Sequence, residues 1–329
     1  MRAGLGLLAG APAVLGVLAL AMAWHVAVGA KPIPLRTVAD AVLAYDPQVF
    51  DHVVIRDLRL PRAVFAALVG ASLSVAGALM QGVTRNPLAE PGLLGLMAGA
   101  SFAVVAAMAL GGGGAALLPL WAAGGALAGA VVVWAIAAAA PGGATPLALV
   151  LAGSAVTAFL YAAVMLLHLL DEQTFQSLRV WLNGTLAGRS TEVFRWCLPW
   201  FAGGLGLAFL LARQVTALAM GEEAAVGLGV DVARVRLLAL GAVVALTAAS
   251  VALAGPMGFV GLVIPHAARL LVGSDYRLIV PVSAGLGAIY LLLVDIAARM
   301  ALAPVEVATG LVTALVGGPV FVWLVRARL

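Results

Sequence analysis

Charge is the commodity this sequence lacks most. Of its 329 residues only 10% are Asp, Glu, Lys or Arg, against about a quarter in an ordinary soluble domain. No charged residue occurs between Glu90 and Asp171, and elsewhere charges stand near the ends of apolar runs, as Asp295, Arg299 and Glu306 do. Lysine occurs once, as Lys31 between Ala30 and Pro32. The Gly-Lys-Ser/Thr of a phosphate-binding loop, whose ammonium neutralises phosphate charge, therefore cannot form. Any ATP hydrolysis that serves this chain must come from a separate subunit.

Other scarcities narrow the field further. Cys197 is the only cysteine, which excludes an intrachain disulfide and a cysteine-built metal site; a buried small apolar residue is the expected role. The four histidines, His25, His52, His168 and His266, are scattered. None has the His-x-x-x-His or Glu-x-x-His spacing of a metal site, and His168 and His266 read as hydrogen-bonded structural residues. No Gly-x-Ser-x-Gly elbow is present. No basic run is long enough for nucleic acid, and no polybasic cluster marks an anionic-lipid site. Ion-coupled transporters keep an ionisable group near the bilayer midplane, and channels use charged rings; the sequence displays neither. An enzyme and a self-sufficient secondary transporter are the rival classes, and both lack their signatures.

What the chain does have is apolar surface. Apolar residues make up 64% of it, with 39 glycines. A soluble fold of this size could not bury so much, whereas a chain facing lipid need not. The glycine and alanine content suits close helix–helix approach in a bilayer. The formal charge of +4 is modest. The expected class is all-α: one polytopic membrane domain over 1–329 with about ten transmembrane helices. The apolar stretch from Leu5 to Ala30 ends in Val28-Gly29-Ala30, which faintly resembles a signal-peptidase site. Its length of about 25 residues exceeds a signal h-region and predicts a spanning helix.

Apolar runs and Gly/Pro punctuation predict helices over about 5–29, 61–82, 93–110, 115–139, 146–170, 196–212, 237–255, 257–272, 277–301 and 305–325. Polar segments fall at about 31–62, 171–195 and 213–236. Placing both termini on the cytoplasmic side leaves about nine Lys/Arg on each face, so the positive-inside rule does not orient the chain. Ser74-Val75-Ala76-Gly77 before the Asn86-Pro87 break echoes Ser250-Val251-Ala252 before the Pro265-His266 break. That predicts an inverted repeat of helices 2–5 and 7–10, an arrangement common in transport proteins.

Four segments stand above composition. They are Leu58-Arg59-Leu60-Pro61-Arg62; Gln81-Gly82 with Asn86-Pro87-Leu88-Ala89-Glu90-Pro91-Gly92; Gly221-Glu222-Glu223 with Gly227-Leu228-Gly229-Val230; and Gly255-Pro256 with Gly258-Phe259 through Pro265-His266 and Arg269. Gly317-Gly318-Pro319 supports them. The ordered set, from about residue 50 onward, strongly resembles the permease subunits of type II ABC importers, the FecCD-type family for iron–siderophore, haem and cobalamin uptake. The resemblance implies the fold of the family's cobalamin permease. It also implies alternating access across the inner membrane, driven by two copies of an ATP-binding cassette subunit that hold the ATP and magnesium. This chain itself would need no cofactor or metal. A second permease subunit, identical or homologous, and a periplasmic binding protein would complete the assembly within membrane lipid; nucleic acid has no place in it.

The resemblance also assigns sites. Prolines at 87 and 91 interrupt helical hydrogen bonding, and the family places such a loop at the cytoplasmic gate, giving Asn86 and Leu88; Thr145 looks like a second gate segment. Gly221, Glu222, Glu223, Gly227 and Gly229 match the short coupling helices that dock on the ATPase. Arg59, Arg62 and Arg299 match arginines presented to glutamates of the binding protein, a pairing suited to the guanidinium fork. Trp181-Leu182-Asn183-Gly184-Thr185 onward resembles the outer loop of siderophore permeases, so a ferric siderophore is the favoured cargo, with haem and cobalamin as alternatives.

Overall fold

The computed structural model describes residues 2–29, 31–111, 116–141, 143, 146–170 and 181–326. Thr145, the second gate candidate, lies outside the described residues, as does the segment 171–180. Among the described residues the regular secondary structure is all helix, apart from one isolated bridge between Leu302 and Val305.

Helix α1 spans Arg2–Ala27, and a short α2, Leu35–Leu43, and α3, Phe50–Val53, follow. A π-helical turn over Val54–Arg59 leads without a break into α4, Leu60–Thr84. Next come α5 (Leu96–Ala109), α6 (Leu118–Ala139), α7 (Pro146–Leu170), α8 (Thr191–Ala219) and the short α9 (Glu222–Gly227). The chain ends with α10 (Val232–Ala254), α11 (Val260–Val272), α12 (Tyr276–Met300) and α13 (Thr309–Arg326). Six described helical segments are long and apolar enough to cross a membrane, and four shorter apolar helices accompany them. Together they are the ten that the sequence predicts, and the chain is a multi-pass membrane protein.

Two helices depart from the predicted bounds for readable reasons. Helix 2 starts at Phe50, so the span is 35 residues long and Arg59 and Arg62 lie within it rather than in a polar loop. Pro61 lacks an N–H and would clash with the preceding turn; the wider π-helical register just before it, in which Leu60 N–H reaches Ile55 O, accommodates the ring. Helix 6 is longer at both ends. Ser190 caps it by accepting the Glu192 N–H at 3.1 Å, and its last turns carry Arg213, Gln214 and Thr216, which an apolar-run criterion rejects.

The inverted repeat is visible in the packing. α4 packs on α11 and α12, and α10 packs on α5 and α6. Exchanging α4–α7 for α10–α13 maps each pair onto the other, with the α4–α10 contact mapping onto itself. The echoing serines are equivalent too. Ser74 donates to Gly70 O and Ser250 to Leu246 O, both at 2.7 Å, and both are buried. Close approach is built on glycine: a Cβ on Gly70 would sit 2.2 Å from Gly287 O, and one on Gly77 1.9 Å from Gly261 O. Without a hydrophobic drive between helices in lipid, such backbone proximity is what dispersion forces require.

Candidate functional site

The second and fourth sequence segments, far apart in the chain, meet inside the bundle. Arg85 closes α4 in the left-handed conformation (φ 52°). Asn86 Oδ1 then accepts the Leu88 N–H at 2.9 Å, and Asn86 O accepts the Ala89 N–H at 3.1 Å. This turn sends the chain back into the protein through Glu90 and the 3₁₀ turn Pro91–Leu94 to α5. From the opposite end of the bundle, Gly255 (φ 78°) turns the chain inward to Phe259 (φ 68°) at the head of α11. The Phe259 N–H donates to the Glu90 carboxylate. Gln81 Nε2 donates to Gly261 O and Leu262 O at 3.3 Å, and Arg269 Nη2 donates to Gln81 Oε1 at 2.6 Å. Glu90 Oε2 is buried with no hydrogen-bond partner among the described residues. Burial pushes the Glu90 carboxyl up to about 7, against the lowering effect of the Phe259 N–H.

Gly221 to Gly229 forms a projecting knob at the Asn86 end. Gly221 (φ 123°) and Gly229 (φ 77°) make the sharp entry and exit that residues with a Cβ resist. Between them α9 anchors itself through buried Ala225, while Val226 and Leu228 are about two-thirds exposed. Glu222 pairs with Arg236 of α10, and Glu223 is exposed. The knob and the turn are neighbours. Asn86, Leu88, Glu222 and Arg236 all line one cavity of about 710 Å³, completed by α4, α6, α7 and α10.

At the other end the three predicted docking arginines are held inside the chain. Arg59 donates from Nη1 to Val26 O (2.9 Å) and Ala27 O (2.8 Å), and from Nη2 to Lys31 O (2.5 Å). Arg299 donates to His25 O at 3.0 Å and Val28 O at 3.1 Å. Both guanidiniums thus cap the C-terminal carbonyls of α1, which no intrahelical donor can reach and where the helix dipole favours a cation. Each residue is only 8% exposed. Gly29 is glycine for the same reason, since a Cβ there would lie 2.9 Å from Arg59 Nη2. Arg62 grips Asp295 bidentately (2.8 and 3.0 Å) and reaches Glu306 at 2.9 Å.

Asp295 is the centre of a network that the sequence reading missed. It lies inside α12, fully buried, rather than at a helix end. Besides Arg62 it accepts from Thr309 Oγ1 at 2.9 Å and lies 2.9 Å from His25 Nε2. A buried ionisable cluster therefore does exist within the helices, contrary to expectation. A lone acid inside an apolar run was the signal that could have found it. Its partners saturate it, which marks it as a clamp joining α1, α4, α12 and α13. Cys197 is buried, as expected, and no group of metal-ligating side chains occurs among the described residues.

A multi-pass helical bundle with an internal inverted repeat, re-entrant turns that meet in its interior and a knob beside one of them defines a membrane permease. The comparisons then give the family: the model of the FecCD transport family matches residues 17–327, and the chain belongs to that family. It is 45% identical over 302 residues to the iron(3+)-hydroxamate import system permease protein FhuB of Bacillus subtilis, covering 92% of this chain and 78% of that protein. It is 40% identical to the cobalamin import system permease protein BtuC of Halobacterium salinarum, over 91% and 81% of the two chains. A solved structure described as an inward-facing metal-chelate type ABC transporter superposes with a TM-score of 0.82 at 29% identity, covering 96% of this chain and 98% of that one.

Proposed function

We propose that this chain is the permease subunit of an ATP-driven importer that carries a ferric chelate, a ferric siderophore in the first instance, across the inner membrane by alternating access. The observation that carries the reading is the shared cavity. The Glu222–Arg236 pair of the knob and the Asn86–Leu88 turn face the same space, so a rigid-body push on the knob reaches the turn directly. In this reading Gly221, Glu222, Glu223, Gly227 and Gly229 form the coupling element. It docks on one of two ATPase subunits, which bind the ATP and magnesium. Asn86 and Leu88 gate the pathway, and both termini face the cytoplasm. A second permease subunit completes the pathway along α7, whose window of membrane-spanning residues is only 22% buried within this chain.

The periplasmic binding protein docks at the Arg62 end. Arg62 already shares its guanidinium with Glu306, so a partner carboxylate would exchange for Glu306 rather than meet a free cation. Arg62→Ala is expected to weaken binding-protein affinity by about ten-fold or more; unchanged affinity removes this role. The similarity to a cobalamin permease makes cobalamin the second cargo. ATP hydrolysis by the assembled complex with its binding protein decides between them. Stimulation by a ferric hydroxamate and not by cobalamin or haem is expected, and the reverse pattern overturns the cargo assignment.

A further inference from the structure

Three arginines separated in sequence converge at the Asn86 end of the bundle. Arg213 of α8, Arg234 of α10 and Arg277 of α12 line a cavity of about 720 Å³ beside the knob. No basic run announces it, which is why the sequence shows no lipid-type cluster. Arg277 is paired with Asp275 at 2.7 Å. Arg213 and Arg234 are exposed, and among the described residues neither side chain has a hydrogen-bond or ion-pair partner. The one acid in the lining, Asp231, uses Oδ1 to cap α10 by accepting the Arg234 N–H at 3.0 Å. The cavity therefore presents unneutralised guanidinium charge, whose fork geometry matches phosphate oxygens.

A second observation gives the phosphate a body. Along the same α8–α10 seam, one turn further from the knob, lies a separate apolar groove of about 250 Å³, lined by Trp200, Gly203, Gly204, Leu207, Gly241 and Ala242. Leu211 of the cavity lies one turn from Leu207 of the groove. A Cβ on Gly203 or Gly241 would meet nothing within 4 Å, so the groove is open. From Gln214 to Gly204 along α8 is roughly 15 Å, the scale of a long stretch of acyl chain. Leu210, Met220 and Leu237 flank the site and are exposed.

We propose that this seam binds one anionic phospholipid, with its phosphate on Arg213, Arg234 and Arg277 and an acyl chain in the α8–α10 groove. Basic pockets between membrane helices are suited to such headgroups. A soluble phosphate would satisfy the arginines but leave the groove without purpose. The site adjoins the Leu228–Asp231 exit of the knob, so a bound headgroup would brace that segment.

The test uses the full-length chain in mild detergent, without any ATPase, so that its outcome is independent of the importer reading. Native mass spectrometry would follow retention of phosphatidylglycerol, phosphatidylcholine of the same acyl chains, and inorganic phosphate. Phosphatidylglycerol should be retained about ten-fold better than phosphatidylcholine. R213Q/R234Q should abolish that preference, and the charge-matched control R36Q/R195Q, two exposed arginines at the other end, should keep it. Gly203→Leu should lower retention of both lipids by filling the groove. Equal retention of the two lipids, or a preference that survives R213Q/R234Q, overturns the proposal. So does full displacement of phosphatidylglycerol by millimolar phosphate, which would make the site one for a free anion.

Discussion

Two arginine clusters, one at each end of this bundle, are used in opposite ways. At the Arg62 end, Arg59, Arg62 and Arg299 turn inward, onto the carbonyls of α1 and onto Asp295 and Glu306. At the Asn86 end, Arg234, Arg236 and Arg277 stand on or beside the surface around a projecting knob, and Arg213 lies on the facing turn of α8. The sequence counts about equal numbers of basic residues at both ends, so a tally of charges does not separate them. Their partners do. Where arginine is paired inside the chain it builds structure, and where its pairing is exposed or absent it is open to other molecules.

The sharpest way to break that contrast is to remove the centre of the clamp. Asp295→Ala should strand Arg62 and His25 in a buried site, and losing one partner of a buried pair costs on the order of 3–5 kcal/mol. The thermal unfolding midpoint of the purified chain should fall by several degrees or more. A midpoint within a degree of wild type would mean that the network is ornamental.

Glu222→Ala should do the reverse. The Glu222–Arg236 pair is nearly half exposed on both sides, and exposed pairs contribute about 0–1 kcal/mol, so stability should hardly move. Transport per ATP hydrolysed should nevertheless fall several-fold, because the knob loses its strut to α10 beside the Asn86 turn. Normal coupling in that variant would separate the knob from the gate.

The third effect is smaller and depends on pH. Burial raises the Glu90 carboxyl from 4.5 to about 7. The folded state then holds a proton that the unfolded state releases, so stability should decline as pH rises from about 4.5 to 7 and level off above that, by on the order of 3 kcal/mol. Glu90→Gln should flatten this decline in unfolding curves taken across that range. A wild-type curve without slope there would contradict the assignment.

Much of the fold was legible because apolar runs are local. The ten helices follow from hydropathy and from Gly/Pro punctuation, and the Ser74 and Ser250 echo does mark a packing repeat. The early start of helix 2 was hidden, since Arg56, Asp57, Arg59 and Arg62 read as loop while a π-helical turn carries the backbone through them. The site was half legible. Asn86, Leu88 and the Gly221–Gly229 knob could be placed from their motifs, but the cavity that joins them needs four helices to be assembled. The inward turn of Arg59 and Arg299 depends on the exposed carbonyls of α1, more than thirty residues from the one and some 270 from the other. No local pattern records it, and the same holds for the Arg213–Arg234–Arg277 cavity.

The central claim is that this chain is a passive pathway worked from the Asn86 end. Uptake of a ferric hydroxamate into liposomes tests it directly, with the chain reconstituted either alone or with its ATPase subunits and binding protein. Uptake should require the complete assembly and ATP, and a proton or sodium gradient should not replace them. Concentrative uptake by the chain alone under an ion gradient would contradict the account.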